Sequence, residues 1–344
     1  MTGVGVLPLK GEYHDNFLDA QASARGNLDR ERQDSLFDRL DWLDTLHRLA
    51  LRDRQPVLLR ASDGNADLWM PLMAKAGGTA EAFASWYNFT WRPIFGGNYD
   101  EVTRLALLRQ IALKAGEHAR RITLMPMPDE DGSTTLTATA FEQAGWVVKR
   151  AQCDENHILP VRGRSFDEYW QTRPGQLRST VKRKGKKGIV SIRILSEFSD
   201  AAWADYETVY NKSWKDIEGN PEFLRTLARQ ESDAGCMRLG VAYIDGQPVA
   251  AQFWTVENGA ALIHKLAHDE AFLSASPGTL LSAALFQHVI DIDRVDEVDF
   301  GTGSDKYKRD WMEEMRPRYS LDLLWPNHPV NWPRIAKYKL LGMI

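Results

Sequence analysis

The run S-A-S-P-G-T-L-L-S-A-A-L-F-Q-H-V-I, residues 274 to 290, turns a strand-like stretch into a helix-like one. The first turn of a helix leaves backbone N–H groups without partners inside the helix. Ser276 is placed to cap such a helix. Pro277 at the first helical position wastes no donor and fixes its own φ. Gly278 has no side chain to hold a ligand off the backbone, and Thr279 adds a hydroxyl. The N–H groups near Gly278, Thr279 and Leu280 then lie beside the positive end of the helix dipole, a setting that suits a phosphate or pyrophosphate. Ser-Pro starts also occur on helices that bind nothing, so a simply capped helix is the other reading.

A second chemical signal is the basic run T-R-P-G-Q-L-R-S-T-V-K-R-K-G-K-K-G, residues 172 to 188. It carries Arg173, Arg178, Lys182, Arg183, Lys184, Lys186 and Lys187 and no acid. Such a run is either a solvated face or a seat for an anion. Few aromatics interleave with the lysines, which weakens a single-strand nucleic-acid reading. His264 and His268 have a spacing familiar from metal sites. On a strand, however, side chains four apart stand about 13 Å from each other and cannot share one ion. G-T-G-S-D-K, residues 301 to 306, lacks the spacing of a phosphate loop, and no nucleophile elbow, H-E-x-x-H or dinucleotide fingerprint occurs. Cys153 and Cys236 are the whole cysteine complement, too few for a cysteine-rich zinc site or a disulfide framework.

These groups need elements to hold them. With 344 residues the chain reads as two domains. A hydrophobic share of 43%, a charged share of 26% and a net charge of −4 describe an ordinary globular chain, not a general binder of polyanions. Twelve tryptophans, scattered along the chain, read as core fillers. The N-terminal residues lack the basic start and apolar run of a secretory signal. No stretch is apolar enough for a membrane span, so the expected location is cytoplasmic. Residues 1–34 are polar and aperiodic and read as a loose arm. Helical spacing follows at Leu36, Leu40, Trp42, Leu46 and Leu49. Strand, turn and strand come next around S-D-G-N, residues 62 to 65, then a helix from Glu101 with Gly116 as candidate terminator. A buried strand, a helix and a further strand end a first α+β unit near residue 160. The second unit reads helix, helix, strand, helix, helix, then three strands joined at Asp245-Gly246 and Asn258-Gly259, strong hairpin signals. The helix at Pro277, the strand E-V-D-F, a helix in 301–315 and a last strand close it. The two halves share this coarse order without a sequence repeat.

The combination of that hairpin, S-P-G-T-L-L and V-D-F-G-T-G-S-D-K-Y-K-R-D-W resembles the GNAT-superfamily acetyltransferase domain of the cellulose-biosynthesis, or BioF2-like, type, related to the FemAB aminoacyltransferases. The resemblance covers residues 165–325 well and the first half more loosely, through W-M-P-L-M and A-G-W-V-V-K-R-A-Q-C-D-E-N-H-I-L-P-V. The family's usual loop has Arg or Gln followed by two glycines, whereas only Gly278 stands here. The resemblance implies an α/β (α+β) fold of tandem GNAT-like lobes, each a mixed, mostly antiparallel sheet flanked by helices. The lobes would span 35–160 and 161–330, with a tail at 331–344. It also implies acetyl-CoA or another acyl-CoA as donor, held where two parallel strands part. Leu266, Ala267 and His268 would pair with the pantetheine arm, while Ser276, Gly278, Thr279 and Leu280 hold the pyrophosphate. Tyr307 would be the acid for the leaving thiolate, with Lys308 near the acyl group. Asp299, His264, His268 and Asp269 are candidates for taking the amine proton, directly or through water, with His264 and Asp299 ahead because they sit on the expected splayed strands. Arg178, Lys182 and Arg183 would meet an anionic acceptor or the 3′-phosphate of the cofactor. The acceptor would be an amine on a small, nucleotide-linked or lipid-linked molecule, in the family's context an envelope or exopolysaccharide precursor. Two rivals stand beside this reading: a FemAB-like transferase that uses aminoacyl-tRNA, and a non-catalytic scaffold whose basic run binds an anionic polymer.

Overall fold

The computed structural model describes residues 9–344. In chain order the elements are β1 (Lys10–His14), α1 (Phe17–Ala24), α2 (Leu40–Leu49), β2 (Pro56–Ser62), β3 (Ala66–Lys75), β4 (Thr79–Ala82), β5 (Ile94–Gly97), α3 (Glu101–His118), β6 (Arg121–Met127), α4 (Ser133–Gln143) and β7 (Val147–Pro160). There follow α5 (Phe166–Gln171), α6 (Gly175–Gly185), β8 (Ser191–Leu195), α7 (Asp200–Asn211), α8 (Pro221–Asp233), β9 (Met237–Ile244), β10 (Gln247–Glu257), β11 (Ala260–His268), α9 (Pro277–Gln287), β12 (Glu297–Thr302), α10 (Lys308–Trp311), β13 (Glu314–Leu324) and α11 (Trp332–Leu340). They form two compact units, Met1–Glu155 with Arg316–Ile344, and Asn156–Met315.

The first unit has a mixed sheet in the order β1, β2, β3, β4, β6, β13, then the opening part of β7, with β5 also on β3. β4 and β6 run parallel there, over Thr79–Arg121 to Glu81–Thr123. Beyond them the gap is closed by Trp91, whose N–H donates to Pro126 O at 2.7 Å and whose indole Nε1 donates to Pro71 O at 3.0 Å. Two expectations are corrected here. Past residue 8 the loose arm of 1–34 holds β1 and α1, and Asn16 caps α1 by accepting from Asp19 N at 2.9 Å. Its apolar positions Phe17, Ala20 and Ala24 are buried although their spacing is weakly periodic. Likewise 316–330 does not belong with the second lobe, nor is 331–344 a tail. Residues 319–324 of β13 pair with β6, and α11 buries Tyr338. Gly116 does not end α3 but sits inside it, where a Cβ would lie 3.4 Å from the Trp325 ring.

The second unit has the sheet order 156–160 of β7, β12, β11, β10, β9, β8. Both hairpins have left-handed φ at both central residues: 49° and 79° at Asp245-Gly246, 48° and 74° at Asn258-Gly259. That is the turn whose twist matches paired strands. Each unit therefore has the expected mixed, mostly antiparallel sheet with helices. Gln252 bonds Ser282 of α9 at 2.7 Å while Phe253 packs on Trp203 of α7, with ring centroids 5.5 Å apart, so α7 and α9 cover opposite faces. Behind α9 an aromatic cluster joins Trp254, Phe286, Tyr169 and Trp311, with Phe286 stacked on Trp311 at 4.9 Å.

Gly240 on β9 lets α9 sit this close. A Cβ there would meet Leu285 Cδ1 at 2.8 Å and Leu281 Cδ1 at 2.9 Å, and both leucines are fully buried. Gly240→Val is expected to cost about 1–3 kcal/mol by overpacking. Urea unfolding checks this, and an unchanged midpoint would contradict the close packing.

Candidate functional site

The site begins with a failure of pairing. β11 and β12 run parallel over Ala260–Glu297, Ala261–Val298 and Leu262–Asp299, and the pairing then stops. An irregularity lies on each strand just beyond. On β11, Phe253 pairs with Lys265 and Trp254 with Ile263, so His264 is an extra residue. On β12 the register with β7 shifts between Asp299 and Thr302, with Gly301 at φ 71°. Bulges twist a strand and re-aim its side chains. A cavity of about 350 Å³ fills the opening. It is lined by Leu266, Ala267 and His268 of β11, Phe300 of β12, the start of α9 at Ser276, Gly278 and Thr279, and Tyr307, Asp310 and Trp311. Gln252, Ser282, Leu177 and Trp214 are also among its walls.

The β11 bulge decides which side chains face this cavity. Phe253 lies on the α7 face, and His264 stacks on it with ring centroids 5.2 Å apart. Lys265, one residue on, sits 5.9 Å from the Tyr210 ring of α7. Two successive residues thus share one face, and Leu266 and His268 return to the other. Lys265 then pairs with Glu218 at 3.0 Å, both buried, which ties down the α7–α8 loop that carries Trp214. Burial lowers the Lys265 pKa to about 8 against the opposing pull of Glu218. Trp214 in turn lies on His268, with centroids 4.4 Å apart. Burial holds His268 below the usual imidazole range, although Glu270 and Asp269 pull it up, so its ring is neutral near pH 7.

The helix start differs in detail from its sequence reading. Ser276 has left-handed backbone, φ 55° and ψ 45°, and its hydroxyl makes no capping bond. It ends the short 3₁₀ turn Glu270–Ala275, and that turn places it. The first helical bond of α9 runs from Leu280 N to Ser276 O at 3.1 Å, and the Leu280 side chain is buried away from the cavity. Leu280 therefore belongs to the helix ladder, and the amides of Gly278 and Thr279 precede it. The space above Gly278 is where the His268 ring sits. A Cβ there would lie 3.3 Å from His268 Nδ1. The missing side chain makes room for an imidazole as well as for a ligand.

Of the other residues expected in the site, Tyr307 lines the cavity, edge-on to Phe300 at 5.6 Å. Burial, with the nearby charge of Asp305, raises its pKa and keeps the phenol protonated. His264, Asp299 and Lys308 do not line it. His264 faces α7 and bonds Thr255 Oγ1 at 2.8 Å. Burial, helped by the Lys265 charge, pushes its pKa down to about 3. Asp299 accepts from Asn156 Nδ2 at 2.9 Å and from Gly301 N at 2.7 Å, which holds the β12 bulge. Lys308 is buried and donates to Thr302 O at 2.5 Å, pinning the same bulge from its far side. Arg178, Lys182 and Arg183 lie on the exposed side of α6. Its inner side offers Leu177 to the cavity, and Lys184 bonds Ser274 O beside the α9 start. Trp214, Gln252 and Asp310 were not singled out by sequence. A strand-length alternation could have flagged Gln252, a polar residue in the apolar run A-A-Q-F-W.

Residues 172–309 match the family model described as an acetyltransferase (GNAT) domain. The chain thus carries a GNAT-type domain over most of its second unit. No curated protein sequence matches it. Among solved structures it is similar to FemX, with 11% identity and a TM-score of 0.62, covering 94% of this chain and 99% of that one. A conserved protein of unknown function from Bacteroides thetaiotaomicron matches at 12% identity and TM-score 0.56, over 92% and 100% of the two chains. A C-terminal domain assigned to a lysylphosphatidylglycerol synthetase from Agrobacterium fabrum matches at 16% and 0.54, over 89% and 92%. At these identities the likeness is one of fold. The match reaches the GNAT-type domain and does not single out the cellulose-biosynthesis or BioF2-like type. Among the described residues no helix is long and apolar enough to cross a membrane.

His264 carries a pH signature. Its folded pKa of about 3 lies below the usual imidazole value of 6.5, so between these the unfolded chain binds a proton that the folded one does not. The stability this residue contributes is full above the unfolded value and is lost as pH falls toward the folded one. His264→Asn is expected to lose less melting temperature than the native chain between about pH 7 and about pH 4. Parallel slopes for the two proteins would mean that His264 is not buried neutral.

Proposed function

We propose that the second unit transfers an acyl group from a coenzyme A thioester, acetyl-CoA or another acyl-CoA, to an amine without a covalent enzyme intermediate. One observation carries this reading: a cavity between parting parallel strands that runs up to the start of α9. The backbone of Leu266, Ala267 and His268, past the last β11–β12 pair, would bond the pantetheine arm. The amides of Gly278 and Thr279 would meet the pyrophosphate at the positive end of α9. Arg178, Lys182 and Arg183 stand outside the cavity and would meet only the exposed part of a donor or an anionic acceptor.

In the reaction the amine nitrogen attacks the thioester carbonyl carbon, and negative charge builds on the carbonyl oxygen. The C–S bond then breaks as the amide forms. The thiolate takes a proton from the Tyr307 hydroxyl, and the amine gives its proton to the neutral imidazole of His268, directly or through water. His268 replaces His264 and Asp299 in this role because its side chain faces the cavity. Most of the acceleration would come from holding the two reactants together. The acceptor is an amine; its place on an envelope or exopolysaccharide precursor rests on the family resemblance alone.

A second reading has its own support. Neither Lys nor Arg is among the described residues that line the cavity, whereas Asp310 is. A carboxylate there suits the ammonium of an aminoacyl group, as an aminoacyl-tRNA donor would present. Thermal-shift titration with acetyl-CoA, free CoA and aminoacyl-tRNA separates the two, since a ligand that binds only the folded state at about 100 times its Kd stabilises it by about 2.7 kcal/mol. Stabilisation by none of them would leave only the scaffold reading. Tyr307→Phe is expected to lower kcat by about 100-fold or more with donor affinity nearly unchanged. Full turnover in that variant would remove the acid role.

A further inference from the structure

We infer that the outward face of α11 docks on an anionic lipid surface. The helix packs inward through Tyr338 and the half-buried Ile335. Its other side carries Trp332, Ala336 and Leu340, spaced four apart, so they form one stripe. This stripe is open to solvent: Trp332 is 60% and Leu340 87% exposed. Leu341, Met343 and Ile344 extend the apolar surface just beyond. A helix needs only one apolar face to join its own core, and α11 has a second.

The charges around the stripe state what covers it. Residues 323–344 contain Arg334, Lys337 and Lys339 and no Asp or Glu. The nearest acid in the chain, Asp322, is already taken: it accepts from Arg121 Nε at 2.6 Å and from Tyr338 Oη at 2.6 Å, and pairs with Arg334 at 3.4 Å. An apolar stripe bearing Trp and Leu, flanked by lysines, is the pattern of a helix lying in a bilayer interface, where its rings enter the headgroup region and its cations meet anionic lipid. Trp332 suits this depth because its ring is apolar while its Nε1 already has a partner, Pro326 O at 2.8 Å. A second copy is a poor occupant, since two such faces would bring Lys337 and Lys339 of each together, and the segment 323–344 holds no acid to relieve them. The helix is far too short to span a bilayer, so contact is with the surface alone.

The test is sedimentation of the full chain with vesicles of phosphatidylcholine alone and of phosphatidylcholine mixed with phosphatidylglycerol. Binding is expected to the mixed vesicles only and to weaken as salt rises from about 0.1 M to about 0.5 M. Lys337→Gln with Lys339→Gln should weaken partitioning roughly 30-fold, from the usual contribution of each basic residue near an anionic surface. Leu340→Ser should weaken it as well while leaving the melting temperature unchanged, because that side chain touches little of the fold. The inference is overturned if native protein shows no preference for anionic vesicles, or if the lysine and Leu340 variants bind as well as the native chain. It is also overturned if Leu340→Ser abolishes self-association seen by light scattering while neither protein binds vesicles. None of these outcomes depends on the acyl-transfer reading.

Discussion

The site exists because β11 and β12 stop pairing after Leu262 and Asp299. Parallel neighbours in a sheet normally exchange hydrogen bonds along their length, and a gap between them exposes backbone groups that must find other partners. Two irregularities make that gap stable. Asp299 and Lys308 tie the β12 bulge from opposite sides by bonding Gly301 N and Thr302 O. On β11 the extra residue His264 redirects the strand, so that Leu266 and His268 face α9 rather than α7. The residues that looked catalytic by type are therefore mostly the ones that build the opening.

The electrostatics of the opening follow from the same geometry. Lysines lie close by, but Lys265 is committed to Glu218 and Lys308 to main-chain carbonyls. His268 is kept neutral by burial beneath Trp214, and Tyr307 is kept protonated. A neutral base and a protonated phenol on the walls of one cavity match what direct acyl transfer asks for, whichever donor occupies it. The basic helix α6 adds charge only outside, where Arg178, Lys182 and Arg183 remain in solvent.

Much of this was legible in the sequence, and the exceptions have a common cause. The hairpins at Asp245-Gly246 and Asn258-Gly259 and the helix opening at Pro277 are local signals, and each is where local chemistry puts it; Tyr307 was singled out through the family resemblance alone. The bulge at His264 was not legible, since one extra residue leaves the alternation of a nine-residue strand almost unchanged while reversing which histidine faces the cavity. Trp214 is brought in by a Glu218–Lys265 pair across 47 positions of sequence, which no window reveals. Leu280 and Ser276 differ because a preceding 3₁₀ turn, itself without a strong pattern, shifts how the helix begins. The unit boundary also escaped, because β13 and the two parts of β7 find their partners far away in the chain.

That last feature bears on how the protein is made. The second unit is a continuous segment, 156–315, but the first is finished only by residues that follow it. As the chain leaves the ribosome, β6 waits for β13, its antiparallel neighbour, until nearly two hundred more residues have been synthesised. The middle of the polypeptide can mature before its beginning, reversing the usual N-terminal-first order of assembly. The edge of β6 must meanwhile stay unzipped without attracting strangers, a burden the finished molecule no longer shows.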